Sequence, residues 1–117
     1  MQPIDGFSDA PERDDLPSAL VDLERALALT PDLAVAWLNL ARVRLARAEL
    51  EQALEAADRA VSLEPRRWDA YLTRAQAQAR LGRRELALDD LERARGLTRD
   101  PRSLAEIDEG FRLLRGR

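Results

Sequence analysis

The segment ERALALTP at Glu24–Pro31 recurs as DRAVSLEP at Asp58–Pro65 and, lengthened by two residues, as ERARGLTRDP at Glu92–Pro101. Ala26, Ala60 and Ala94 therefore stand 34 residues apart. Further columns keep the same step: Ala19, Ala53 and Ala87; Leu20, Leu54 and Leu88; Leu23, Ala57 and Leu91; Arg25, Arg59 and Arg93; Leu29, Leu63 and Leu97. A unit of this length cannot bury its apolar face alone and must stack on its neighbours, so the period constrains the architecture more than any single residue does.

Within each unit the apolar spacing is helical. Leu16, Ala19, Leu20, Leu23, Ala26 and Leu27 predict a first helix that Pro31 stops, with Asp14 or Asp15 as N-cap before Pro17. A second helix is expected over about 33–47, a third over about 51–63 before Pro65, and a fourth over about 68–81 with Gly82 as a left-handed C-cap. A fifth covers about 85–97, closed by Pro101, and Ser103 with Glu106 forms a capping box for a sixth. That last helix carries the apolar stripe Leu104, Ile107, Phe111 and Leu114. Short connections make neighbours antiparallel, and the expected fold class is all-α. Residues 1–15, with Pro3, Gly6, Pro11 and five acidic side chains, read as a flexible acidic arm.

These columns resemble the tetratricopeptide repeat, W-x2-L-G-x2-Y followed by A-x3-F and a later Ala and Pro. Residues 34–67 carry Trp37, Leu40, Ala41, Ala53, Ala57, Ala60 and Pro65; residues 68–101 carry Tyr71, Ala75, Gly82, Ala87, Leu91 and Ala94. Residues 16–33 look like a half repeat, the second helix only, and 102–117 like the family's solvating cap. Arg44 and Gln78 depart from the Tyr position and Arg74 from the Leu position, which suggests a looser second half. The resemblance implies a right-handed superhelix whose first helices line a concave face.

Catalysis has little to work with. The chain has no His, Cys or Lys, which removes the usual general bases, nucleophiles and metal ligands. Asp89 and Asp90 project about 100° apart on a helix and do not share a proton or a cation readily. The chain is expected to be no enzyme and to need no cofactor and no metal. A net charge of −3, with no aromatic residues interleaved among the Arg clusters, argues against nucleic acid. No apolar run reaches a membrane span and the N-terminus lacks the pattern of a secretory signal, so a cytoplasmic, non-membrane protein is expected.

The leading expectation is a protein-binding adaptor. On the resemblance, the face opposite Trp37 and Leu40 forms a groove from Val35, Leu38, Asn39, Arg42 and Leu45 of the second helix. Asp69, Leu72, Thr73, Gln76 and Arg80 of the fourth helix complete it. Apolar anchors on Leu38 and Leu72 beside Arg42 and Arg80 suit a peptide with an acidic or carboxylate feature. The family's chaperone clamp, which uses Lys, Asn and Arg, is not expected, because Lys is absent and only Asn39 lands in a matching place. The rival expectation is structural. Leu16, Leu20, Leu23 and Leu27 lack the helix that would cover them, which points to a weak homodimer or to docking against the rest of a longer repeat protein, with Ile4 and Phe7 of the arm covering part of the patch.

Overall fold

The computed structural model describes residues 16–116, and the expected N-cap at Asp14 or Asp15 and the fold-back of Ile4 and Phe7 lie outside them. The described chain is all helical: α1 Leu16–Leu29, α2 Ala34–Ala46, α3 Leu50–Leu63, α4 Trp68–Arg80, α5 Arg84–Leu97 and α6 Pro101–Arg115. Each helix packs on the next in sequence, and α2, α4 and α6 also touch in series. The stack of antiparallel hairpins is a helical-hairpin solenoid.

The Ala columns explain the close stacking. Ala53, Ala57 and Ala60 of α3 and Ala87 and Ala94 of α5 are fully buried, where a methyl group alone separates two backbones. Leu27, Leu40 and Leu91 fill the spaces beside them. Each hairpin also closes through its aromatic column. The Trp37 indole Nε1 donates to the Pro31 carbonyl at 2.8 Å, and 34 residues later the Tyr71 hydroxyl donates to the Pro65 carbonyl at 2.9 Å. The proline that stops one helix thus supplies the acceptor that fixes the entry of the next.

The start of α6 differs from expectation. Pro101 opens α6 at its first position rather than merely closing α5, since its missing N–H costs nothing there. Asp100 is the N-cap, and its Oδ2 accepts from the Ser103 N–H at 3.0 Å and from the Ser103 hydroxyl at 2.9 Å, so Ser103 sits inside the helix. Nor is the second half looser. Arg74, in the column of Leu40, donates through Nε and Nη2 to both oxygens of Asp90 at 2.8 and 2.9 Å. Asp90 occupies the column of Ala56 and is 1% exposed. An apolar pair of columns has become a two-pronged ion pair, extended by Arg93 at 3.1 Å and by Asp58 on Arg74 at 3.1 Å. These carboxylates, with hydrogen bonding to Asp90 foremost, push the guanidinium pKa further up against the opposing effect of burial.

The turns inside the hairpins obey the period too. The Glu49 N–H donates to the Arg44 carbonyl and the Arg83 N–H to the Gln78 carbonyl, both at 2.8 Å, closing each helix in the same way. The residue before each donor is left-handed: Gly82 at φ 82° and Ala48 at φ 63°. A Cβ at Gly82 would meet nothing within 4 Å, so only the backbone preference distinguishes the two positions.

Two stability predictions follow from these features. Ala48→Gly should raise stability by about 1 kcal/mol, and Gly82→Ala should lower it by about as much, read as shifts in the urea midpoint. Asp90→Ala should cost about 3 kcal/mol by stranding Arg74, whereas Arg74→Leu combined with Asp90→Ala should recover most of that loss. Additive effects of the two core substitutions in a denaturation cycle would show that the pair is not coupled.

Candidate functional site

Because α2, α4 and α6 lie side by side, their exposed flanks form a concave surface with two adjoining hollows. The larger, about 730 Å³, lies mainly between α4 and α6. Leu72, Ala75, Ala79 and Leu91 meet Leu113 and Leu114 there, with Arg80 and Arg84 on one wall and Glu106 and Glu109 on the other. The smaller, about 380 Å³, lies between α2 and α4 and is lined by Arg42, Leu45, Ala46, Gln76 and Arg80. Gln76 and Arg80 border both hollows and make them one groove.

Of the residues expected there, Arg42, Gln76 and Arg80 are exposed on this surface, and Leu45 and Leu72 line its floor while remaining buried. Leu38 and Thr73 do not reach it. Leu38 is fully buried against Ala60 and Ala70, and Thr73 is buried with its hydroxyl donating to the Asp69 carbonyl at 2.8 Å. The reason is that α2 and α4 are packed from several sides, so the face opposite Trp37 and Leu40 largely meets the next hairpin instead of solvent. The expectation of projecting anchors on Leu38 and Leu72 is corrected accordingly. Val35 and Asn39 are exposed but line neither hollow. Asp69 is half-buried, 3.0 Å from Arg67 and 3.9 Å from Arg42.

The leucines of α1 also differ from expectation. Leu16 and Leu27 are buried, and Leu20 and Leu23 pack half-buried against the core that α1 shares with α2 and α3. An amphipathic helix turns its leucine stripe inward wherever a neighbour is available. Val21 and Leu29 are the large apolar side chains that α1 exposes.

The missed contributors are Ala46, Ala75, Ala79, Gly82, Arg84, Leu91 and the α6 wall. Extending the 34-residue register past Pro101 would have found the last. Glu106, Gly110, Leu113 and Leu114 occupy the columns of Leu72, Gln76, Ala79 and Arg80. Gly110 belongs there for a steric reason, since a Cβ would come within 3.1 Å of Leu91 Cδ2.

Fixed charges shape the groove. Arg80 Nη1 donates to the Leu45 carbonyl at 3.0 Å, tying α4 to the C-terminal end of α2. Arg84 Nε donates to the Leu114 carbonyl at 3.1 Å. Arg112, hydrogen-bonded to Glu109, holds that carboxyl below its ordinary range, so it stays charged through mildly acidic pH. Among the described residues no three His, Cys, Asp or Glu side chains gather as metal ligands would, and no helix is long and apolar enough to cross a membrane. Such a surface is equipped to hold a ligand through apolar contact and paired charge.

No family model matches the chain, and no curated protein matches it. Solved structures do. The Arabidopsis OM64 TPR domain superposes with a TM-score of 0.80 at 22% identity, covering 88% of this chain and 83% of that one. The TPR2B domain of yeast Sti1, in a complex with pHsp70, gives 0.82 at 22% identity, with coverage of 89% and 86%. MamA gives 0.69 at 22% identity over 74% of this chain and 50% of its own. At this identity the likeness shows the fold, which is TPR-like.

Proposed function

We propose that the chain is a noncatalytic adaptor that seats a segment of another protein along the concave groove of α2, α4 and α6. The observation that carries this reading is the continuity of the two hollows through Gln76 and Arg80. An apolar floor bordered by fixed guanidinium groups suits a segment with apolar side chains and a carboxylate. The Sti1 domain of the same fold was solved in complex with pHsp70, which agrees with this use of the architecture. The charged side chains lining the groove are Arg and Glu, which hold ligands by charge and offer no activated nucleophile. The same proposal puts the adaptor in the cytoplasm.

A second reading has its own support. The columns Ala19, Leu23 and Ala26 of α1 are only half-buried, whereas Ala53, Ala57, Ala60, Ala87, Leu91 and Ala94 in the same columns of α3 and α5 are buried. In those hairpins a preceding helix covers these positions. A second copy, packed symmetrically across α1, would supply such a cover as a weak homodimer.

Peptides selected from a displayed random library should bind the wild-type groove. Arg42→Glu with Arg80→Glu should weaken them at least about tenfold at unchanged helicity, and added salt should weaken the wild type. Equal affinity would move the site off this face. In light scattering across a concentration series, the apparent mass should rise for the wild type and stay monomeric for Ala19→Arg. A strictly monomeric wild type would dismiss the dimer.

A further inference from the structure

The groove between α4 and α6 has a direction. Two chain reversals separate these helices, so they run parallel, and the register sets Glu106 level with Leu72 and Leu114 level with Arg80. With a rise of 1.5 Å per residue, the acidic and basic ends lie about 12 Å apart along the groove. Glu106 forms no ion pair among the described residues, whereas Glu109, one turn nearer the basic end, is already paired with Arg112. At the other end Arg80 and Arg84 are anchored by the Leu45 and Leu114 carbonyls. Between the ends the lining is apolar apart from Gln76 and the paired Glu109, and the missing side chain of Gly110 leaves Leu91 as part of the floor.

Resting on the adaptor reading, we propose that this part of the groove selects an extended segment with a basic and an acidic residue four positions apart and an apolar residue midway. An extended chain advances about 3.3 Å per residue and returns to the same face every second residue, so positions i, i+2 and i+4 face the groove across about 13 Å. The basic residue meets Glu106, the apolar one rests over Ala75 and Leu91, and the acidic one meets Arg80. A groove lined with Arg alone would accept acidic segments without regard to order; Glu106 makes this one discriminate.

The test uses the full chain and three peptides with blocked ends: Lys-Ser-Leu-Ser-Glu, Glu-Ser-Leu-Ser-Glu and Lys-Ser-Ser-Ser-Glu. Amide chemical shifts followed by NMR should show the first binding at least about fivefold more tightly than the others, with the changes centred on α4 and α6. Glu106→Arg, at an exposed position, should reverse the preference towards the doubly acidic peptide, and Leu113→Arg should abolish binding of all three. Equal affinities, or a preference that Glu106→Arg leaves unmoved, would overturn the inference. If a display-selected peptide still binds the concave face in that event, the adaptor reading stands; if it binds elsewhere, both fall.

Discussion

Backbone approach between helices is the constraint on which the rest of this structure depends. At Ala53, Ala57, Ala60, Ala87 and Ala94 a methyl group is all that separates neighbouring helices, and each of these side chains is fully buried. Small residues at fixed columns allow the short interaxial distances, at the lower end of about 8–10 Å, that stacked hairpins need. Alanine also costs least in helix propensity, so the columns that set the spacing favour the helices they space. With few aromatic side chains, the core has its bulk from leucines set between the alanines. Trp37 and Tyr71 serve at the hairpin entries, where each ring spans to a proline carbonyl.

Repetition at this spacing leaves room for exchange within a column. Leu40 and Ala56 in one hairpin correspond to Arg74 and Asp90 in the next, and the helices pack closely in both. The ion pair succeeds because both Asp90 oxygens are engaged by Arg74 in a planar fork and because Tyr71 lies under the guanidinium at 5.5 Å. Desolvation makes such a pair a weak source of net stability compared with an apolar contact. Its consequence is specificity: α5 matches α4 in a way that α3 does not, which opposes mispairing among near-identical hairpins.

The two ends of the stack differ in kind. On α6, Ala105, Asp108, Glu109 and Arg112 are exposed, a surface that tolerates water. On α1, by contrast, Ala19, Leu23 and Ala26 repeat the columns used elsewhere for packing a helix. α6 also combines two roles. Ile107 and Phe111 close the core, Phe111 with Arg95 and Arg115 over its ring at 4.5 and 4.8 Å, while Glu106 and Leu113 on another flank build the groove.

The sequence by itself determined the architecture. The 34-residue step, the helix-stopping prolines and the apolar spacing were enough to place five helices within one or two residues of their observed ends and the cap of the sixth within three, because these are local signals repeated in register. The family resemblance carried by those columns implied that α2 and α4 would line the concave side, and left out α6. The assignment of individual side chains to the groove required the tertiary structure. Helical periodicity identifies one buried stripe, yet α2 and α4 are covered by helices on several sides, so Leu38 and Thr73 are enclosed by contacts that no single helix announces. The same physics drew Leu20, Leu23 and Leu27 of α1 inward and left the groove to Arg42, Gln76, Arg80 and the overlooked wall of α6. Burial is decided by every neighbour a helix acquires, and those neighbours exist only once the hairpins have stacked.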